Sequence, residues 1–390
     1  MTETESSTPE QSEQEKNQRR LIDFIESKGG SITFEEFMYE SLYGEGGYYQ
    51  EKVQIGKKSE GADFMTYAES KMTAYLLQSY IQERMQENPD EYRFVELAGG
   101  MGTLKKNILA FAESAGQSVP YLNVDISEKL SRLQHEAGGE GTVRASALEL
   151  PFPDESITGT LFSNELVDAL PFRVVQVFVE RETEFSMRSN VSIKELHYTV
   201  KDGTVTAEWR DPSPEVLEYW ETQQAYLRER GLPPDQAFQN GQVVTMNLYE
   251  SKLVEEFDRV LKQGEIIMID YGDHFDNMTK DGSATPRLYP RKHNSLAVEE
   301  YPNIAYDADI TADVNFTVLI QTAKKLGLQV ELLPQFEFFL RLVTNEDAEK
   351  YRTSEGFKKW FNELRDSGTD PLKKRGSFKV LIIKKEQVNN

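Results

Sequence analysis

The sequence predicts an α/β protein built on a doubly wound sheet. An apolar run ends in a glycine-rich turn at Arg93–Thr103, and a second apolar run, Tyr121–Asp125, ends in an acid. Further apolar runs alternate with helical patterns along the chain, which is typical of βαβ units and a parallel sheet. In such a sheet, ligands bind at the edge formed by the carboxyl ends of the strands.

The glycine-rich turn distinguishes between two kinds of adenosine-containing cofactor. A dinucleotide fingerprint, G-x-G-x-x-G, needs glycine or alanine at position 105, where this chain has Lys105. The other frame, acid-x-Gly-x-Gly-x-Gly, is the first motif of many proteins that bind S-adenosylmethionine (SAM). Glu96, Gly100 and Gly102 fit that frame. The turn therefore predicts SAM and disfavours a nicotinamide oxidoreductase.

Asp125 is the acid at the end of the second predicted strand. An acid at this place can bond both ribose hydroxyls of an adenosine-containing ligand, which makes Asp125 a candidate for ribose binding. The alternative is that Asp125 caps the next helix or lies in solvent at the strand end.

The loop after the fourth predicted strand, Gly159–Ser163, carries the candidate catalytic residues. Asn164, Glu165 and Asp168 follow this strand, so we expect them to face the ligand crevice. Two carboxylates can hold one guanidinium and help to remove its proton, which singles out Glu165 and Asp168. The alternative is that Asp168 caps a helix and Glu165 binds backbone amides.

The sequence predicts five parts along the chain. They are a disordered acidic tail over 1–18, a helical cap over 19–90, the first half of the cofactor domain over 91–171, an inserted α+β subdomain for substrate recognition over 172–247, and the second half over 248–390. In the last part, a helix over 249–262 should end at Gly264, and 273–306 reads as a long polar loop. His293 in that loop could contact the substrate or lie in solvent.

Seven short signatures, in this order, resemble the MidA-type SAM-dependent methyltransferases. They are Ile32–Met38, Gly46–Tyr49, Asp63–Thr66, Val95–Leu104, Asn164–Pro171, Ile269–Gly272 and Asp309–Phe316. Mitochondrial members of this family assist the assembly of respiratory complex I by methylating a protein arginine. The resemblance implies a class I methyltransferase fold, which is Rossmann-like, with SAM as cofactor and a protein side chain, arginine in particular, as acceptor. A small-molecule acceptor, or a SAM-binding assembly factor with little catalysis, are the alternatives.

The resemblance also implies roles for single residues. The implied cofactor-binding residues are Glu96, Ala98, Gly99, Gly100 and Gly102 at the methionine end, Asp125 at the ribose, Ile126, Ser127, Ala147 and Leu148 beside the adenine, and Asn164. In the family the N-terminal segment packs over the cofactor, which makes Tyr48, Asp63 and Thr66 candidates for substrate binding. The same segment could instead be a plain helical cap.

Composition limits the partners and the compartment. The formal net charge of −22 disfavours nucleic acid and suits a basic protein partner, or simply a well-solvated surface. The chain has no cysteine, and its four histidines lack metal-ligand spacing, so we expect no metal site. Because we find no signal segment and no run of about 18 apolar residues, we expect a cytoplasmic protein that binds no membrane.

Overall fold

The computed structural model describes residues 9–53, 70–138, 141–181, 189–282, 284–289, 296–344, 347, 354–369 and 378–386. The chain divides into two compact units. The doubly wound unit comprises Val53–Leu170, Tyr249–Ser283 and Asp313–Asn390. The interrupted unit comprises Met1–Lys52, Pro171–Leu248 and Ala284–Ala312.

The described strands and helices follow one another along both units. The strands are β1 (Ser31–Thr33), β2 (Tyr92–Leu97), β3 (Tyr121–Asp125), β4 (Thr142–Arg144), β5 (Ile157–Asn164), β6 (Arg173–Arg181), β7 (Ser189–Lys201), β8 (Thr204–Arg210), β9 (Val243–Met246), β10 (Leu261–Asp273), β11 (Arg287–Tyr289), β12 (Asp309–Thr311), β13 (Val314–Asn315), β14 (Gln329–Pro334) and β15 (Phe378–Lys385). The helices are α1 (Pro9–Ser27), α2 (Phe34–Tyr43), α3 (Lys71–Glu87), α4 (Thr103–Ser114), α5 (Glu128–Glu136), α6 (Pro214–Glu229), α7 (Pro234–Ala237), α8 (Glu250–Val260), α9 (Phe275–Asp281), α10 (Phe316–Lys325), α11 (Gln335–Leu342) and α12 (Glu355–Thr369).

The doubly wound unit is built on a sheet with the strand order β14-β15-β10-β5-β2-β3-β4, and β13 pairs with β10. The run from β10 to β4 is parallel, whereas β15 is antiparallel to both of its neighbours. Alternate residues of a strand enter two separate apolar cores, as Phe94 and Val95 do. Both faces of the sheet are therefore covered, as a doubly wound sheet requires.

The register brings the carboxyl ends of four parallel strands side by side. Leu97 of β2 pairs with Val124 of β3 and with Ser163 of β5. Asn164 pairs with Ile269 of β10. The segments that follow these strands therefore meet at one edge of the sheet, the carboxyl edge.

The interrupted unit has an antiparallel sheet with the order β1-β7-β6-β9, and β8 pairs with β7. Its aromatic side chains pack on one another. Phe34 stacks on Phe172 with ring centroids 5.5 Å apart, and Phe37 lies edge-on to Tyr198 at 4.8 Å. These rings are buried, so they form a core rather than an exposed binding surface.

The structure differs from the predicted disordered tail over 1–18, because α1 is helical from Pro9 onward. Leu21 and Ile25, one helical turn apart, are fully buried and anchor this helix. Asn17 and Gln18 extend its contacts by donating hydrogen bonds to Asp307 and to the carbonyl of Pro302. Polar composition predicted disorder here, but these side chains have specific partners in the interrupted unit.

The structure also differs from two predictions in the last part of the chain. The segment over 273–306 is not a plain loop, because it contains α9, β11 and a 3-10 helix, Val298–Ile304. Gly264 does not end the preceding helix but lies within β10, opposite Gly159 of β5. A Cβ at Gly264 would come 1.9 Å from the Gly159 carbonyl oxygen, so a close strand contact explains this glycine.

Candidate active site

The turn after β2 has left-handed backbone at three positions. The φ angles of Ala98, Gly100 and Gly102 are 55°, 53° and 76°. Glycine adopts such angles freely, whereas a left-handed residue with a Cβ costs about 1–2 kcal/mol. Ala98 is tied to the sheet, because its N–H donates to the carbonyl of Val124 at 2.9 Å. The turn thus keeps the shape of a glycine turn although alanine stands at its first position.

Glu96 is buried in β2, in contact with this turn. Its carboxylate accepts hydrogen bonds from the Tyr121 hydroxyl at 2.9 Å and from Asn123 Nδ2 at 2.6 Å. Burial raises the pKa of Glu96 to about 7, and these two hydrogen bonds oppose the rise. A Cβ at Gly99 would lie 2.5 Å from both the Glu96 carboxylate and the Asn123 amide. A side chain at 99 would therefore have to displace the Glu96 carboxylate and the Asn123 amide.

Asp125 ends β3 and is 4% exposed. Its Oδ1 accepts the N–H of Ser127 at 2.9 Å, and its Oδ2 accepts Gln134 Nε2 at 2.7 Å. Burial raises the pKa of Asp125 to about 6, against the effect of these two donors. Ser127, predicted beside the adenine, uses its hydroxyl to cap α5 by accepting the N–H of Leu130. The helix cap is therefore Ser127 and not Asp125.

The other residues predicted at the adenine lie at neighbouring strand ends. Ala145, just after β4, donates its N–H to the carbonyl of Asp125 at 3.1 Å. Ala147 and Leu148 follow in the same loop and are half-buried, as is Ile126 after β3. The structure thus brings the predicted cofactor residues of three strands to the carboxyl edge.

The loop after β5 also starts with a left-handed residue, Glu165, whose φ is 55°. The Glu165 N–H donates to the carbonyl of Ile269 at 2.8 Å, and its carboxylate accepts Asn164 Nδ2 at 3.0 Å. Glu165 is half-buried, whereas Asp168 is buried and accepts a hydrogen bond from the Tyr271 hydroxyl. The loop therefore has one partly accessible acid, Glu165, and one buried acid, Asp168, which follows it three residues later.

Asp270 of β10 holds this loop. Its Oδ2 accepts the N–H groups of Val167 at 2.9 Å and Asp168 at 3.2 Å, and its Oδ1 accepts the N–H of Tyr271 at 2.9 Å. Burial raises the pKa of Asp270 well above its ordinary value, and the charges of Asp168 and Glu165 raise it further. The carboxyl groups of Asp168 and Glu165 are thus near enough to disfavour a charge on Asp270. Asp270 binds backbone amides of this loop, a role that the sequence indicated, as an alternative, only for Glu165.

Sequence reasoning missed Asp270 as a site residue, although a signal was present. Asp270 ends the apolar run Ile266–Ile269 in the same way as Asp125 ends its own run. Tyr121 and Asn123, the partners of Glu96, were also missed. They alternate with Asp125 along β3, so strand periodicity places all three on one face. No comparable pattern marks Gln134.

Three of the four residues predicted to bind substrate, Asp63, Thr66 and His293, lie outside the described residues. The fourth, Tyr48, lies in the interrupted unit, is 2% exposed and packs edge-on against Tyr49. Within the described ranges, no three His, Cys, Asp or Glu side chains are grouped to hold a metal ion. None of the described helices has both the length and the apolar character needed to cross a membrane.

The residues at the carboxyl edge fit SAM. The turn offers backbone without side chains at its three glycines, and Glu96 beside it can face a cationic group. Asp125 can accept the ribose hydroxyls, and Ile126, Ala147 and Leu148 offer apolar surface for an adenine ring. A cation at one end, a diol in the middle and an apolar ring at the other end is the layout of SAM.

Comparison with known proteins gives a family and a fold. The model of a family of S-adenosyl-L-methionine-dependent methyltransferases matches residues 76–333. A structure of a COG1565 superfamily member from Burkholderia thailandensis, bound to S-adenosyl-homocysteine, is similar with a TM-score of 0.72 and 21% identity, over 98% of this chain and 95% of that chain. A native structure of a COG1565 superfamily protein from the same organism has a TM-score of 0.70 and 20% identity, with the same coverage. Among curated proteins, no relative matches the sequence. The predicted fold class is confirmed.

Proposed function

Because the chain belongs to the family of SAM-dependent methyltransferases whose model matches it, we propose that it methylates a protein side chain, with the guanidinium of arginine as acceptor. Membership confirms the predicted family, the predicted enzyme class and the predicted cofactor, SAM. The proposal adds the acceptor, a basic protein partner and the roles of single residues. It includes a cytoplasmic location, with which a chain without cysteine is compatible.

One observation carries the choice of acceptor. Glu165, Asp168 and Asp270 form a cluster of three carboxyl groups at the carboxyl edge, and their mutual repulsion contributes to the raised pKa of Asp270. A cation close to the cluster would relieve this repulsion. The guanidinium of arginine is always charged and offers planar pairs of N–H donors that match carboxylates. The cluster therefore suits arginine better than a neutral acceptor.

The three acids would have different tasks. SAM supplies an activated methyl group on a sulfonium. Glu165 is half-buried and would bind the guanidinium and accept the proton that its nitrogen loses when the new N–C bond forms. Asp168, oriented by the Tyr271 hydroxyl, would hold the guanidinium in place. Asp270 is a positioning residue, since its contacts are with the backbone of the loop.

The test is a screen with SAM that carries a labelled methyl group, using arginine peptides, lysine peptides and small molecules as acceptors. We expect label on arginine, and we expect Glu165→Gln to abolish transfer while calorimetry shows unchanged binding of SAM. The matched control is Glu113→Gln, an exposed acid of α4, which should keep full transfer.

Three outcomes would contradict the proposal. Label on lysine or on a small molecule would show that the acceptor is wrong. Full transfer by Glu165→Gln would remove Glu165 from the reaction. SAM that is bound but never consumed with any acceptor would favour the alternative of an assembly factor with little catalysis.

A further inference from the structure

Gln134 of α5 is the point at which the glycine turn and Asp125 are joined. The side chain is fully buried. Its Nε2 donates to the carbonyl of Gly100 at 3.0 Å and to Asp125 Oδ2 at 2.7 Å. An amide nitrogen has two hydrogens, and these two acceptors use both of them. One side chain therefore fixes the distance between the turn and the acid.

Two further contacts hold Gln134 itself in place. Lys105 is buried in α4 and donates from Nζ to the carbonyl of Gln134 at 3.2 Å and to that of Gly141 at 2.9 Å. A buried ammonium group is costly unless such acceptors surround it, so the contact is specific. On another side, a Cβ at Gly102 would lie 3.1 Å from the Gln134 Cα. Lys105 and Gly102 thus set the position of Gln134.

The Asp125 carboxylate can accept further hydrogen bonds from a ribose, in addition to those it accepts from the protein. Within the described part of the chain, Ser127 donates to Oδ1 and Gln134 donates to Oδ2. A carboxylate oxygen has two lone pairs, so one position stays available on each oxygen. Two remaining acceptor positions, fixed in direction, match the two hydroxyl groups of a ribose.

We propose that Gln134 is a positioning residue, which orients the Asp125 carboxylate and thereby gives the cofactor site its selectivity for an intact ribose diol. This proposal rests on SAM as the cofactor and on Asp125 as its ribose-binding residue. It needs no assumption about the methyl acceptor.

The experiment is calorimetry of the full chain with S-adenosylhomocysteine and with its 2′-deoxy analogue. Gln134→Met keeps the volume of the side chain and removes both donors. We expect about a tenfold loss of affinity for S-adenosylhomocysteine, the scale of one hydrogen bond to a charged group. The affinity for the analogue should fall less, so the preference for the diol shrinks. In an Asp125→Ala background, Gln134→Met should cause a smaller loss, because only its hydrogen bond to Gly100 is then left to remove.

Gln78→Met is the matched control, because Gln78 is a buried helical glutamine whose Nε2 donates to Gln117 at 3.0 Å. Gln117 follows the end of α4 that is opposite to the turn. It should keep both affinities. Gln134→Leu provides a second variant if Gln134→Met folds poorly. An unchanged preference for the diol in the folded variants would overturn the proposal, as would an undiminished effect in the Asp125→Ala background. Since no acceptor is added, failure of the arginine proposal would not affect this result.

Discussion

Two loops at the carboxyl edge begin in the same way but are held differently. Ala98 after β2 and Glu165 after β5 both have a φ of 55°. At the first loop, neutral donors from β3 and α5 hold the acids Glu96 and Asp125. At the second loop, an acid, Asp270, holds the backbone.

The two left-handed residues differ in what their backbone strain does for the site. The side chain of Ala98 is a methyl group, so its left-handed backbone gives shape to the turn and nothing more. Glu165 carries a carboxylate, so the same strain also sets the direction of a reactive group. Strained residues at functional sites cost about 1–3 kcal/mol and persist only when their surroundings fix them. Asp270 helps to fix the loop of Glu165 through its bonds to the backbone.

The largest expected effect follows from removing Asp270. Asp270→Ala leaves three buried N–H groups without their acceptor, which should lower the free energy of unfolding by about 4 kcal/mol. Denaturant unfolding measures this loss, and the labelled-methyl assay should show that transfer is lost as well.

Asp347→Ala is a demanding control for this variant. Asp347 is also buried, and it accepts the N–H of Thr344 and the Tyr75 hydroxyl. Its removal should lower stability but leave methyl transfer intact. If both variants lost stability equally and neither lost transfer, Asp270 would be a structural residue only.

The pH dependence of stability tests the first loop. The pKa of Glu96 is raised from 4.5 to about 7, so folding favours the protonated form. Its contribution to the free energy of unfolding is full below about pH 4.5 and is lost as the pH rises through 7, which amounts to about 3 kcal/mol. Glu96→Gln cannot ionise, so it should gain stability relative to the natural chain between pH 5 and pH 8.

Denaturant unfolding at both pH values measures that gain. The exposed Glu113→Gln is the comparison, and it should follow the natural chain at both values. Should the natural chain and Glu96→Gln keep a constant difference from pH 5 to pH 8, Glu96 would not titrate in this range.

A smaller effect is expected at Gly99, where a Cβ meets Glu96 and Asn123 at 2.5 Å. Overpacking of this kind costs about 1–3 kcal/mol, so Gly99→Ala should lower both stability and the affinity for S-adenosylhomocysteine. Gly356→Ala in α12 is the control, because its nearest contact is 3.7 Å away. An unchanged affinity in Gly99→Ala would show that the turn can move aside.

The smallest expected effect comes from replacing the first left-handed residue of each loop by glycine, which compares the two loops directly. Ala98→Gly should raise the free energy of unfolding by about 0.5–1 kcal/mol, because relief of strain exceeds the added chain entropy. Ala110→Gly on the exposed face of α4 should lower it by about the same amount. Glu165→Gly should also relieve strain but abolish transfer. A loss of stability in Ala98→Gly would contradict the strained turn.

The parts of the fold that depend on local pattern could be predicted from the sequence. Apolar runs predicted β2, β3 and β5, together with Asp125 at the end of β3 and Glu165 just after β5. Residues that act through distant partners could not be predicted in this way. Gln134 lies in a polar helix, and its importance depends on hydrogen bonds to Gly100 and Asp125, which no local pattern records.

A glycine led to a wrong prediction where a contact between distant segments, and not the local backbone, explains its presence. Gly264 follows a helical pattern and resembles a helix end, but the contact with Gly159 of β5 explains it. The part of α1 over 9–18 was missed for a related reason, since its polar residues find partners hundreds of residues away, as Asn17 does with Asp307. In each case the decisive contact joins segments that are far apart in the sequence.

The place of β15 in the sheet has a consequence for biosynthesis. β15 follows every other strand of its sheet along the chain, yet it lies between β14 and β10. During translation these two strands cannot be joined until Phe378–Lys385 has emerged from the ribosome, so both present open edges until then. Both strands therefore need protection from aggregation until β15 is available to pair with them.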